Sequence, residues 1–184
     1  MKVLIAAGGT AGHVMPALRV AEELRQRDAS NKIIFVTTRK KQDIDLVRSK
    51  NFGVKSILAG KFRRYFSLLN FVDPFFVFIG FVQSLIIIIK FRPNIIFSKG
   101  GYLSLPVVVA GRILFRKIVV HESDLEMGVA NRIAAFFANK VLVSFPKENY
   151  SKIKTEKLVY TGNPIRKISY NAKLENDNTV LVMG

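Results

Sequence analysis

Short apolar runs alternating with longer amphipathic stretches constrain this chain more than any other feature. The β-rich runs fall at residues 3–7, 32–37, 54–58, 95–98, 118–121, 141–144 and 158–160. Stretches of helical periodicity separate several of them, at 16–27, 42–49, 105–114 and 129–138. Such alternation is the pattern of βαβ units, in which a parallel sheet is covered on both faces by helices. The expected fold class is therefore α/β. Ligands in such sheets gather at the carboxyl ends of the strands, so the residues directly after each run are the candidates for chemistry.

After the first run the chain reads IAAGGTAGHVMP, residues 5–16. Gly8, Gly9 and Gly12 permit a tight turn with positive φ and a close backbone approach to a ligand. Thr10 lies among them. Free N–H groups and the positive end of a helix suit an anionic or oxygen-rich ligand. His13 falls at the expected helix start, and Pro16 falls in its first turn, where a missing N–H costs nothing. The plain alternative is a tight turn with no ligand. After the run 95–98 comes a second such loop, Lys99-Gly100-Gly101-Tyr102, again followed by a proline, Pro106. Two glycine loops at strand ends share one rim of a parallel sheet, and together they suggest a cleft for a larger, phosphate-bearing ligand. Tyr102 either meets that ligand or packs on the helix.

The run at 118–120 leads into His121-Glu122-Ser123-Asp124, where catalytic groups sit in α/β folds. These side chains could equally cap the next turn or fill the core. Asn131, near the next helix start, is in reach of the same rim. The final run is followed by Thr161-Gly162-Asn163-Pro164-Ile165-Arg166. Residues 167–178 then turn polar, like a linker, and 179–184 read as the first strand of a second domain.

The formal net charge of +16 points to a polyanionic partner. No nucleic-acid motif is present, and the aromatic residues gather in one apolar block, so nucleic acid is not the expected partner. There is no cysteine, which excludes thiolate catalysis and zinc–thiolate sites. With His13 and His121 as the two histidines, a histidine-rich metal site is not expected. No cofactor is expected either.

The apolar block breaks the alternation. Asp73-Pro74 reads as a helix start, with Asp as N-cap and Pro at the first position. Residues 75–89 then carry no charge. As a helix they span about 22 Å, short of the roughly 20 residues that a bilayer crossing needs. Lys61, Arg63 and Arg64 precede the block, and Lys90 and Arg92 follow it. Apolar surface edged with Lys and Arg belongs in a membrane interface. One face of this helix is expected in the core. The other, with Phe75, Phe76, Phe78, Ile79, Phe81 and Val82 as candidates, is expected on anionic lipid, with Arg112, Arg116 and Lys117 extending the basic rim.

Taken in order, GGTAGHVMPAL, SKGGYLSLP, HESD, GVANR and GNPIR resemble the MurG family of bacterial glycosyltransferases. The resemblance spans the chain from Met1 to Gly184. It implies a GT-B architecture of two Rossmann-like domains. Residues 1–166 would be the N-terminal acceptor- and membrane-binding domain, 167–178 the linker, and 179–184 the start of a donor-binding domain. The implied reaction moves GlcNAc from UDP-GlcNAc to the MurNAc C4 hydroxyl of lipid I with inversion, giving lipid II on the cytoplasmic face of the bacterial cell membrane. By the same resemblance, Gly8, Gly9, Thr10, Gly12, Gly100 and Gly101 would face the acceptor diphosphate. His13 would be the base or orient the hydroxyl. Glu122 would be catalytic with His13 and, with Tyr102 and Asn131, would line the acceptor side; Asn163 and Arg166 would reach the donor.

The chain departs from many relatives in having HESD where they have HEQN, which exchanges an amide for the carboxylate of Asp124. The donor pocket lies beyond residue 184, so this chain alone is expected to be inactive. Two other classes fit parts of the sequence. Ala7-x-Gly9-x-x-Gly12 partly fits a dinucleotide fingerprint, with Arg39 for a 2′-phosphate, which describes an NAD(P)-type domain; no acidic residue ends the second run, however. A non-catalytic membrane anchor of a two-chain GlcNAc transferase is the other alternative.

Overall fold

The computed structural model describes residues 1–60 and 69–164, and for 69–72 the backbone only. In chain order the elements are β1 (Lys2–Ala6), α1 (Ala11–Arg27), β2 (Lys32–Thr37), α2 (Lys41–Arg48), β3 (Gly53–Ser56), α3 (Leu69–Phe91), β4 (Ile95–Ser98), α4 (Ser104–Ile113), β5 (Lys117–Glu122), α5 (Val129–Phe137), β6 (Lys140–Val143) and β7 (Leu158–Tyr160). The strands form one seven-stranded sheet in the order β3-β2-β1-β4-β5-β6-β7. Every pairing is parallel. The expected α/β class, with a Rossmann-like parallel sheet, is the observed one.

Period-two alternation along each strand sorts the core into two layers. Leu4, Ala6, Val36, Ile96, Ile118, Val120, Val141 and Val143 join a cluster with residues of α3, α4 and α5. Val3, Ile5, Ile33, Phe35 and Phe97 join the other cluster, with α1 and α2. Because β1 is followed on one side by β2 and on the other by β4, the strand order reverses between β1 and β4. A crevice opens outside the carboxyl ends at such a switch point. The two glycine loops follow those two strands, so the topology itself places them on either side of the crevice.

Two helices begin earlier than their prolines suggest. α1 starts at Ala11, so Pro16 and Gly12 both lie inside it. Pro16 cannot donate to the Gly12 carbonyl. Burial of Val14, Ala17, Leu18 and Ala21 at helical spacing outweighs that loss. Gly12 therefore belongs to the first turn of a helix and does not adopt a left-handed conformation, as the expected turn required; Gly9 does, with φ 93°.

α3 starts at Leu69 rather than at Asp73-Pro74 and runs for 23 residues. Within it, residues 73–91 are long and apolar enough to cross a membrane by length and composition, so the expectation that this helix is too short does not hold. Its inner face is nonetheless part of the domain. Gly80, Ser84 and Ile88 are buried, and Phe81, Leu85, Ile87 and Phe91 pack against the core cluster. A methyl at Gly80 would come within 2.0 Å of the Leu58 carbonyl oxygen. The Leu58 N–H donates to Gln83 Oε1 at 2.8 Å. The helix is thus fastened to the segment that follows β3.

Candidate active site

The first glycine loop is held from beneath by a carboxylate. Asp43, buried in α2, accepts from the Gly9 N–H at 2.8 Å and from the Thr38 hydroxyl at 2.7 Å. Lys40 Nζ donates to the Gly9 carbonyl at 2.6 Å. Both backbone groups of Gly9 are thereby fixed. The early residues of α1 stay open: Thr10, Ala11 and Gly12 are exposed, so the free N–H groups of the first helical turn face solvent.

The second loop closes against the first. Gly100 and Gly101 take φ of 104° and 83°, a region that side chains other than glycine rarely enter. A methyl at Gly101 would lie 3.4 Å from the Gly8 carbonyl oxygen and 3.6 Å from His13 Nε2. The Tyr102 ring lies over the first loop, 2.9 Å from where a Gly9 methyl would be. The structure gives Tyr102 a contact that neither reading of the sequence named, with the other glycine loop. Burial raises its hydroxyl pKa, with Asp43 adding to the rise.

His13 sits between the loops. Its Nδ1 lies 2.7 Å from Thr10 Oγ1, and its Nε2 is turned toward Gly101. Burial lowers its pKa below the usual 6.5, and the nearby Lys99 ammonium lowers it further, against the pull of Glu122, Asp124 and Asp43. The ring is consequently neutral near pH 7. In the tautomer that donates from Nδ1 to Thr10, Nε2 is an acceptor facing the crevice.

The end of β5 forms the third wall. Glu122 is buried with both oxygens engaged: Oε1 accepts from the N–H groups of Ser123 at 2.8 Å and Asp124 at 3.0 Å, and Oε2 accepts from Asn131 Nδ2 at 2.9 Å. Asn131 in turn abuts the second loop, 2.6 Å from where a methyl at Gly100 would be. These bonds tie the carboxylate to the turn after β5 and to α5. His121 is buried beneath it, its Nε2 3.1 Å from the Gly162 carbonyl. A carbonyl only accepts, so Nε2 carries the proton. Burial, with Lys99 close by, depresses the His121 pKa to about 4.

Gly8, Gly9, Thr10, Gly12, His13, Gly100, Gly101, Tyr102, Glu122 and Asn131 thus converge on one crevice. Asn163 joins its edge, its Oδ1 accepting from the Ser123 hydroxyl at 2.8 Å. Arg166, Lys61, Arg63, Arg64, the linker at 167–178 and the strand at 179–184 lie outside the described residues. Asp43, Lys40 and Lys99 belong to the site without having been singled out in the sequence. Asp43 meets Gly9 across 34 residues of chain, and no local pattern signals that contact. Among the described residues no group of three or more His, Asp or Glu side chains is placed to hold a metal ion.

The chain matches the glycosyltransferase family 28 N-terminal domain over residues 3–143. A relative from Clostridium novyi, named UDP-N-acetylglucosamine–N-acetylmuramyl-(pentapeptide) pyrophosphoryl-undecaprenol N-acetylglucosamine transferase, is 42% identical over 165 residues, 90% of this chain and 45% of that protein. One of the same name from Treponema pallidum is 38% identical over 175 residues, 94% of this chain and 45% of that protein. The chain therefore spans about half the length of these curated relatives. Among solved structures, Acinetobacter baumannii MurG aligns with a TM-score of 0.74 at 23% identity, covering 96% of this chain and 49% of that one. A UDP-GlcNAc 2-epimerase from Neisseria meningitidis aligns at 0.68 and 15% identity, over 89% of this chain and 47% of that one. At those identities the likeness is one of fold. By the family match and by the relatives' identity over nine-tenths of its length, this chain belongs to glycosyltransferase family 28.

Proposed function

We propose that this chain is the acceptor-binding half of a MurG-type N-acetylglucosaminyltransferase, which moves GlcNAc from UDP-GlcNAc to the MurNAc C4 hydroxyl of lipid I. The observation that carries the reading is the apposition of two glycine loops across the switch point with a neutral histidine between them. The acceptor named for the relatives is a muramyl pentapeptide on a pyrophosphoryl-undecaprenol. Its diphosphate suits exposed N–H groups at a helix start. His13 Nε2 accepts the proton of the attacking hydroxyl as the bond to the anomeric carbon forms and UDP departs, a single displacement that inverts the centre. Residues 167–178 serve as the linker to a donor-binding domain that begins at 179–184. Asn163 and Arg166 reach the donor, where a guanidinium stabilises departing diphosphate.

The same reading puts the domain on the cytoplasmic face of the membrane. Phe75 and Phe78 are each 62% exposed and form, with Val82, Ile86 and Ile89, one apolar stripe along α3. Phe115, just past the end of α4, is 91% exposed and sits beside Arg112, Arg116 and Lys117. Apolar side chains beside cations suit an anionic lipid surface. Phe81 packs inward and Phe76 and Ile79 are half-buried, so the stripe is narrower than the six residues expected from sequence, and it is extended by Ile86 and Ile89.

The test is a binding comparison on this chain. A water-soluble, short-chain analogue of the muramyl pentapeptide diphosphate lipid is expected to bind, and UDP-GlcNAc to bind at least tenfold more weakly. Equal or preferred binding of UDP-GlcNAc would assign this half to the donor and overturn the reading.

A further inference from the structure

Lys99 is the buried cation of this site. It is 2% exposed, and among the described residues no other Lys or Arg is buried. It follows β4 directly, and its backbone N–H donates to the Ala6 carbonyl of β1 at 3.0 Å, so it lies at the switch point between the two loops. Its Nζ donates to the Ser123 hydroxyl, which passes the chain on to Asn163 Oδ1. An ammonium has three protons to give, and among the described residues Ser123 takes one. No carboxylate forms an ion pair with it among those residues. Glu122, close enough to act on it electrostatically, has both oxygens engaged elsewhere.

A cation out of water is costly unless a counter-charge meets it. Here no carboxylate among the described residues pairs with it directly, Glu122 and Asp124 acting only from a distance, and two glycine loops with open N–H groups lie alongside. We infer that Lys99 is an anion-binding residue of the crevice, supplying the buried positive charge for the diphosphate of a lipid-linked acceptor seated across the two loops. This rests on the acceptor reading above and names a residue for it. When the site is empty the ammonium rests on Ser123. When the diphosphate arrives, the remaining protons turn to its oxygens, while the loop N–H groups and the start of α1 hold the rest. Burial lowers the Lys99 pKa, and the nearby carboxylates of Glu122 and Asp124 act the other way.

Calorimetric titration with inorganic pyrophosphate tests this on the chain itself, unmodified and as Lys99→Met and Ser123→Ala, each checked by circular dichroism and thermal melting. The expected results are binding by the unmodified chain, a loss of tenfold or more in Lys99→Met with its melting intact, and a two- to threefold gain in Ser123→Ala, where the ammonium has lost its resting partner. A short prenyl diphosphate should displace pyrophosphate and UDP should not. Unchanged affinity in a folded Lys99→Met overturns the proposal. Should that variant fail to fold, unchanged or weakened affinity in Ser123→Ala overturns it. Displacement by UDP alone also overturns it, by moving the diphosphate to the nucleotide. Absence of pyrophosphate binding by the unmodified chain overturns it too, while preferred binding of the muramyl analogue over UDP-GlcNAc would leave the acceptor reading standing.

Discussion

His13 and His121 are the chain's two histidines, and burial drives both toward the neutral form for different ends. In His13 neutrality leaves a proton acceptor beside the crevice. In a chimera carrying a donor domain, the acid limb of the kcat/KM profile should therefore fall below pH 6.5, and His13→Gln should lower kcat by about 100-fold or more. In His121 neutrality is a condition of folding. The unfolded chain binds this proton near 6.5 and the folded one near 4, so the unfolded state holds more protons in between and stability falls as pH falls. Urea unfolding should show about 3 kcal/mol lost from this group between pH 6.5 and pH 4. A His121→Gln variant should lack that component; an unchanged pH slope would contradict the assignment. Glu122 makes a sharper distinction. Glu122→Ala strands three donors, the Asn131 amide among them buried, and should cost about 3 kcal/mol. Glu122→Gln should cost about 1 kcal/mol, because the unpartnered Asn131 Oδ1 can turn to meet the new N–H. Equal losses would mean that the negative charge itself is needed.

At the scale of elements, α3 carries two separable faces. Gly80→Ala drives a methyl into the Leu58 carbonyl and should destabilise the domain by more than about 2 kcal/mol in chemical denaturation. Phe75→Ser with Phe78→Ser touches exposed positions alone. It should leave stability within about 0.5 kcal/mol and abolish co-sedimentation with anionic vesicles; retained binding would remove α3 from the membrane account. The element pattern was legible in the sequence because a parallel sheet needs apolar runs and helices in alternation, and both glycine loops announced themselves by composition. The helix starts were not, since tertiary burial at Val14, Ala17, Leu18 and Ala21 carried α1 back past Pro16. Nor was the support of the loops. Asp43 and Lys99 read as ordinary charged residues until the fold brings α2 under Gly9 and sets the end of β4 against the loop after β5.

For the molecule as a whole, the chemistry lies at one end of the sheet and a row of lysines at the other. The glycine loops, His13 and the 121–124 turn sit at the carboxyl edge. Lys2, Lys32, Lys117 and Lys140 begin β1, β2, β5 and β6 at the other. The half-length match to the relatives sets the decisive measurement. This chain, joined at residues 167–178 to the donor domain of a relative, would be assayed for GlcNAc transfer from UDP-GlcNAc to a lipid-linked muramyl pentapeptide. The account predicts product from the chimera, about 100-fold less with His13→Gln, and none from either half alone. A folded chimera that makes no product, or one indifferent to His13, would contradict it.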